Sequence, residues 1–197
     1  MKLYRIILVD DEEEVRKSII RKIKWEENGF LVAGDAENGE DALEKIEALE
    51  PDLILTDIRM PYMDGLTLAE RVRQKYPSMK IVIFSGYDDF EYAKQAIKLN
   101  VTEYILKPVN VEELTAILKK IKANLDQERN VSLLRENYIK SLPILREQFL
   151  NELVNAPVAS ETVETRLKEY GIPLSGAQKW IAAAVGIDRP EEEGEGE

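Results

Sequence analysis

The chain has 197 residues, 44% hydrophobic and 7% aromatic, with 27 basic against 38 acidic side chains and a formal charge of −11. That is the make-up of a globular protein with one good core and part of a second, and its acidity argues against nucleic-acid binding by this stretch, since phosphate contacts need clustered Lys and Arg. With no cysteine and no histidine, disulfides, thiolate or imidazole metal sites and an internal phosphohistidine are excluded, and with no apolar run near the roughly 20 residues that span a bilayer and no cleavage-site pattern after Met1-Lys2, the chain reads as cytoplasmic and without membrane contact.

Residues 3–9 (LYRIILV) read as a strand ending in Asp10 and Asp11. Glu12, Glu13 and Glu14 load the first turn of a helix with negative charge, favourable against the macrodipole. Val15, Ile19, Ile20 and Ile23 are its buried stripe, and it is expected to stop near Asn28-Gly29. Residues 30–36 form a second strand, and Asn38-Gly39 opens a helix striped by Ala42, Leu43, Ile46 and Leu49. Residues 51–57 (PDLILTD) are an apolar run bounded by Pro51 and a Pro/Gly-containing loop, the pattern of a strand buried on both faces. It ends on Asp57, which taken alone is more often a turn or capping aspartate.

A loop with Pro61 and Asp64-Gly65 leads to a helix carrying Leu66, Leu68, Ala69 and Val72, closed before Pro77. Residues 80–84 (KIVIF) are a fourth strand, ending in Ser85-Gly86. Asp88-Asp89 read as an N-cap pair for a helix with Ala93, Ala96, Ile97 and Leu99. Residues 103–106 form a short fifth strand ending in Lys107-Pro108, and Val111 begins a last helix. Five apolar strands alternating with five helices at short loop intervals specify an α/β fold, a doubly wound five-stranded parallel sheet.

In such a sheet the strand ends share one edge, the usual place for ligands. Asp10-Asp11, Asp57, Ser85 and Lys107 should converge there. Crowded carboxylates repel, and a hard divalent cation with oxygen ligands removes that cost. Asp10 and Asp11 are therefore the expected Mg²⁺ ligands, with Asp57 touching the same ion as a nucleophile able to form an acyl phosphate. Lys107 is left to meet charge on phosphoryl oxygens, and the hydroxyl of Ser85 to hydrogen-bond one of them.

Over residues 1–124 the sequence closely resembles the receiver domain of bacterial two-component response regulators. The matching pieces are ILVDDE, LTDIRMPYMDG, FSGY and YILKP. The resemblance implies a flavodoxin-like receiver fold with strand order 2-1-3-4-5 and Asp57 as phosphoacceptor. It implies Mg²⁺ held by Asp10, Asp11, Asp57 and the backbone carbonyl of Arg59, with Ser85, Tyr104 and Lys107 as switch and phosphoryl-contacting residues. A cis Lys107-Pro108 bond belongs to the same pattern. From spacing alone Tyr104 is simply a half-buried strand aromatic. The partner implied is a sensor histidine kinase, whose phosphohistidine would supply the phosphoryl group.

Past residue 124 the apolar stripe of the last helix continues through Leu125, Val131, Leu134 and Tyr138, interrupted at 126–130. Residues 125–142 are expected to be a helical linker, either dimerising as a coiled coil or packed on a neighbour. Ser141-Leu142-Pro143 is expected to restart a helix, and Ser160 to cap another that ends at Gly171. Residues 180–187 (WIAAAVGI) look like a strand without a partner. Residues 143–187 thus read as a partial output-side α/β region, and 188–197 as an acidic disordered tail. The region resembles the segment after the receiver in response regulators that end in an AraC-type helix-turn-helix pair. The expectation is the front part of a longer transcription regulator, with DNA bound only through an output domain that these residues do not contain. Two other readings use the same residues: a Mg²⁺-dependent aspartyl-phosphate phosphohydrolase, and a binding module that is not phosphorylated.

Overall fold

The computed structural model describes residues 3–86, 90–155 and 158–173. Five strands, β1 (Tyr4–Val9), β2 (Phe30–Ala36), β3 (Leu53–Asp57), β4 (Lys80–Ser85) and β5 (Glu103–Leu106), pair in parallel in the order β2-β1-β3-β4-β5. This is the order expected above. The connecting helices are α1 (Glu13–Lys22), α2 (Gly39–Leu49), α3 (Gly65–Lys75) and α4 (Phe90–Lys98), and α5 (Val111–Asn155) follows β5.

Strand periodicity divides the core between the two faces of the sheet. Leu53 and Leu55 of β3 join Ile6, Leu8, Val82 and Phe84 under α1 and α5, where Ile19, Leu114, Leu118 and Ile121 close the layer. Ile54 joins Ile7, Val9, Ile81 and Ile83 under α2, α3 and α4, against Ala42, Ile46, Leu68, Val72 and Ala96. All five residues of β3 are buried, which is why Leu53, Ile54 and Leu55 follow one another without polar alternation.

Two helix ends differ from the sequence expectation. The first helix ends at Lys22, not near Asn28-Gly29: Ile23 is extended (φ −92°, ψ 136°), and Glu26–Asn28 form a separate 3-10 turn closed by Gly29 at φ 87°. Leaving the helix turns both Ile23 and Trp25 into the core, with the Trp25 indole N–H donating to the Ile20 carbonyl at 3.0 Å. The expected restart at Pro143 is absent, because α5 runs through it as one 45-residue helix. A proline inside a helix removes one donor and crowds one turn, a local cost that the helix absorbs.

The chain divides into two compact units, Met1–Arg129 and Asn130–Glu197. In the first, α5 stays in the core for one turn beyond residue 124. Leu125 is buried, the Tyr4 hydroxyl donates to Asp126 at 2.8 Å, and Lys80 pairs with Glu128 at 2.6 Å. In the second, α6 (Ser160–Glu169) meets the end of α5 through Arg166, which pairs with Glu152 at 2.6 Å and lies 5.6 Å from the Phe149 ring centre. Tyr170, just past α6, makes an edge-on contact with Phe149 at 5.8 Å, and Phe149 and Leu167 are both buried. Ser160 is the first helical residue and Ala159 the cap, so the expected serine cap is displaced by one position. The Asp88-Asp89 cap, the strand at 180–187 and the tail at 188–197 fall outside the described residues. Among the described residues, no helix is long and apolar enough to cross a membrane.

Candidate functional site

Because the strands are all parallel, one edge of the sheet collects their C-terminal ends. Asp10 and Asp11 follow β1 and Asp57 closes the adjacent β3, with Val9 paired to Thr56. Carboxylate oxygens of Asp10, Asp11 and Asp57 lie within 4.8 Å of one another. Across from them, the Lys107 ammonium donates to Asp10 Oδ2 at 2.9 Å and to Asp57 Oδ2 at 3.1 Å. Asp10 is fully buried, Asp57 is 8% exposed and Asp11 faces solvent.

Each central acid is held by more than its charge partner. The Asp10 backbone N–H donates to the Ala36 carbonyl at 3.1 Å, and its Oδ1 accepts from the Glu12 N–H at 2.8 Å. Its carbonyl accepts from Arg16 Nη1 at 2.6 Å, while Arg16 Nε donates to Asp35 at 2.7 Å. Asp57 Oδ1 accepts from the Ile58 N–H at 2.7 Å, and its carbonyl accepts from the Thr56 hydroxyl at 2.9 Å. Gly65, capped by Asp64 at the start of α3, presses on the same peptide. A Cβ there would sit 1.9 Å from the Asp57 carbonyl oxygen, so no larger residue fits this approach.

Burial pushes the Asp57 carboxyl above its ordinary range. The Lys107 charge and hydrogen bond and the Ile58 N–H oppose that shift, and the Asp10 charge adds to it. For Lys107 burial acts downward, but its bonds to Asp10 and Asp57 and their charges win, and the ammonium is held above its usual value. One ammonium therefore serves two carboxylates, and it leaves Asp57 undercompensated. Hard oxygen donors, two of them withdrawn from water and one open to it, form a donor set that suits Mg²⁺.

The remaining expected residues surround this cluster. Ser85 is buried one position beyond Phe84, the register partner of Asp57, and its carbonyl accepts the Lys107 N–H at 2.7 Å. Arg59 lines a cleft with Asp11, Ile58 and Tyr92, its guanidinium 5.7 Å from the Tyr92 ring centre. Tyr104 is set back from the edge. It pairs with Ile83 and packs in the α2–α4 layer, its hydroxyl buried without a hydrogen-bond partner among the described residues. The Lys107-Pro108 bond is cis.

Arg16, Thr56 and Gly65 escape the sequence reading. Arg16 left a signal: it stands three and seven residues before Ile19 and Ile23, so a charged group falls on the buried stripe of α1.

Residues 6–119 match the family model described as the response regulator receiver domain. The chain belongs to the response regulator receiver family. Its receiver is 40% identical over 126 residues to the uncharacterized transcriptional regulatory protein YesN of Bacillus subtilis, covering 64% of this chain and 34% of that protein. The transcriptional regulatory protein HptR of Staphylococcus aureus is 32% identical over 195 residues, 94% of this chain and 77% of HptR. Among solved structures, the receiver domain of AraT, a response regulator from Geobacillus stearothermophilus, superposes with a TM-score of 0.62 at 38% identity, covering 64% of this chain and 98% of that one. A two-component transcriptional regulator AraC from Clostridium phytofermentans gives 0.60 at 35%, with coverage of 64% and 98%. The chain thus spans about a third of YesN and three quarters of HptR. Its receiver is a signalling module rather than a metabolic enzyme.

Proposed function

We propose that this receiver is switched by phosphorylation of Asp57, the phosphoryl group coming from a phosphohistidine on a partner sensor kinase. The observation that carries the reading is the Asp10, Asp11 and Asp57 cluster within 4.8 Å, with Lys107 joining Asp10 to Asp57. Asp57 Oδ2 attacks phosphorus, the P–O bond forms as the P–N bond to the kinase imidazole breaks, and the imidazole leaves with the bonding pair and takes up a proton. Asp10, Asp11, Asp57 and the Arg59 carbonyl would hold Mg²⁺, which supplies charge neutralisation for the carboxylates and for the transferred oxygens. Lys107 meets a phosphoryl oxygen from the opposite side, releasing its present bond to Asp57 to do so. Ser85 offers its hydroxyl to a second oxygen.

A phosphoryl group at Asp57 would bias the equilibrium of Ser85 and of Tyr104, whose buried hydroxyl has no hydrogen-bond partner among the described residues. The surface of α4, β5 and α5 would change with it. The output is transcription regulation in the cytoplasm, through a DNA-binding domain outside these residues. We also read the linker as a homodimer contact. Leu125 belongs to the receiver core, so the exposed Val131, Leu134 and Tyr138 are what remains of the stripe for that contact.

Acetyl phosphate with Mg²⁺, followed by mass spectrometry, should add one phosphoryl group to the native chain and none to Asp57→Asn. Equal labelling of the two proteins sinks the assignment, and many turnovers per chain would instead mark a phosphohydrolase. Sedimentation with Val131 and Leu134 both changed to Asp should show a lower mass; an unchanged mass removes the dimer contact.

A further inference from the structure

We propose that Arg16 is a positioning residue for the acid pair, fixing the backbone that presents Asp10 and Asp11 to a divalent cation. The proposal rests on the metal-dependent receiver reading above. Arg16 is 9% exposed, an expensive place for a guanidinium unless its donors are used. Nη1 reaches the carbonyl of Asp10 at 2.6 Å and Nε reaches Asp35 at the far end of β2 at 2.7 Å. Asp35 is tied in turn, because Lys45 on α2 donates to its carbonyl at 2.6 Å and to Asp41 at 2.9 Å.

The peptide joining Asp10 to Asp11 is therefore clamped to the neighbouring strand by a planar fork rather than left as an open turn. The side chain of Asp10 is fixed separately, by the Glu12 N–H and by Lys107. Lys107 is the ammonium that phosphoryl transfer would draw away from the acids. Of Asp10, Arg16 touches only the backbone carbonyl, so its hold there persists when Lys107 moves. Asp11, solvent-facing and without such a side-chain anchor among the described residues, depends on this peptide for its direction. A lysine cannot reproduce the fork, since it offers a point charge without the planar pair of donors.

The experiment is a calorimetric Mg²⁺ titration of the full chain beside Arg16→Met, Arg16→Lys and Asp35→Ala, each first checked for a cooperative melt. Arg16→Met should bind Mg²⁺ about tenfold more weakly, the usual loss when a group that orients metal ligands is removed. Arg16→Lys should recover part of the loss, and Asp35→Ala should show a smaller loss in the same direction. With acetyl phosphate, Arg16→Met should need more Mg²⁺ for half-maximal labelling yet reach the native rate at saturation, which general destabilisation would not produce. A folded Arg16→Met with native Mg²⁺ affinity overturns the proposal. If that variant does not fold, native affinity in Asp35→Ala overturns it. A native chain that binds no Mg²⁺ overturns it as well. A native chain that binds Mg²⁺ but accepts no phosphoryl group overturns the signalling reading and leaves the Arg16 assignment standing.

Discussion

Asp57 and Lys107 face the same field from opposite sides, and their substitution should move stability in opposite directions. Burial raises the Asp57 carboxyl, so the folded chain holds that proton more tightly than the unfolded chain does. Ionisation then costs stability in full above the raised folded value, and the cost shrinks as pH falls through that value and is gone below the unfolded one. Asp57→Asn should accordingly melt higher than the native protein at pH 7 in chelator, with the gap closing as pH is lowered towards about 4; a lower melting point at pH 7 would contradict this account. Lys107→Met should do the reverse. It leaves Asp10, fully buried, without its ammonium, an uncompensated charge that costs about 3 kcal/mol. Urea titration in chelator measures that loss, and added Mg²⁺ should recover part of it.

Among the elements, the strands were the most legible. A run such as LILTD has one cheap home, the middle of a sheet covered on both faces, and its last residue then has one place to be. Asp10, Asp11, Asp57 and Lys107 could be assembled from the sequence because strand direction alone delivers them to one edge. Helix ends were less legible. The spacing of Val15, Ile19, Ile20 and Ile23 continues equally well as a helix or as a turn, and only the burial of Trp25 against Ile20 decides between them. Pro143 misled for a related reason, since a local penalty does not end a helix that is held at both ends. Close approaches leave no periodic trace at all, and Gly65 is the sharpest case. Gly65→Ala forces a Cβ against the Asp57 carbonyl and should cost more than the ~1 kcal/mol swing of an ordinary helical glycine, read as a lower urea midpoint. Leu118→Ala, at a fully buried position of α5, should cost about 2–5 kcal/mol while leaving phosphorylation at 25 °C intact.

At the scale of the whole molecule, the stretch 125–129 belongs with the sheet. A chain ended after residue 129 keeps buried Leu125, the Tyr4–Asp126 bond and the Lys80–Glu128 pair; one ended after 124, the boundary expected from the sequence, loses all three. Their sum is about 3 kcal/mol from one leucine side chain, one hydrogen bond and a weak ion pair. The two chains should differ by that amount in urea unfolding, and equal midpoints would return the boundary to 124. The bridge from Lys107 to Asp10 spans 97 positions of sequence, and this has a bearing on how the protein is made. During synthesis β1 and β3 can pair and bring Asp10 beside Asp57 long before Lys107 has left the ribosome. Until β5 docks, the two inward carboxylates lack the ammonium that bonds them both, since Arg16 reaches only the Asp10 carbonyl. Lys107, the residue just past the edge strand β5, then brings its charge to both acids at once, a role that free Mg²⁺ would fill in the interval.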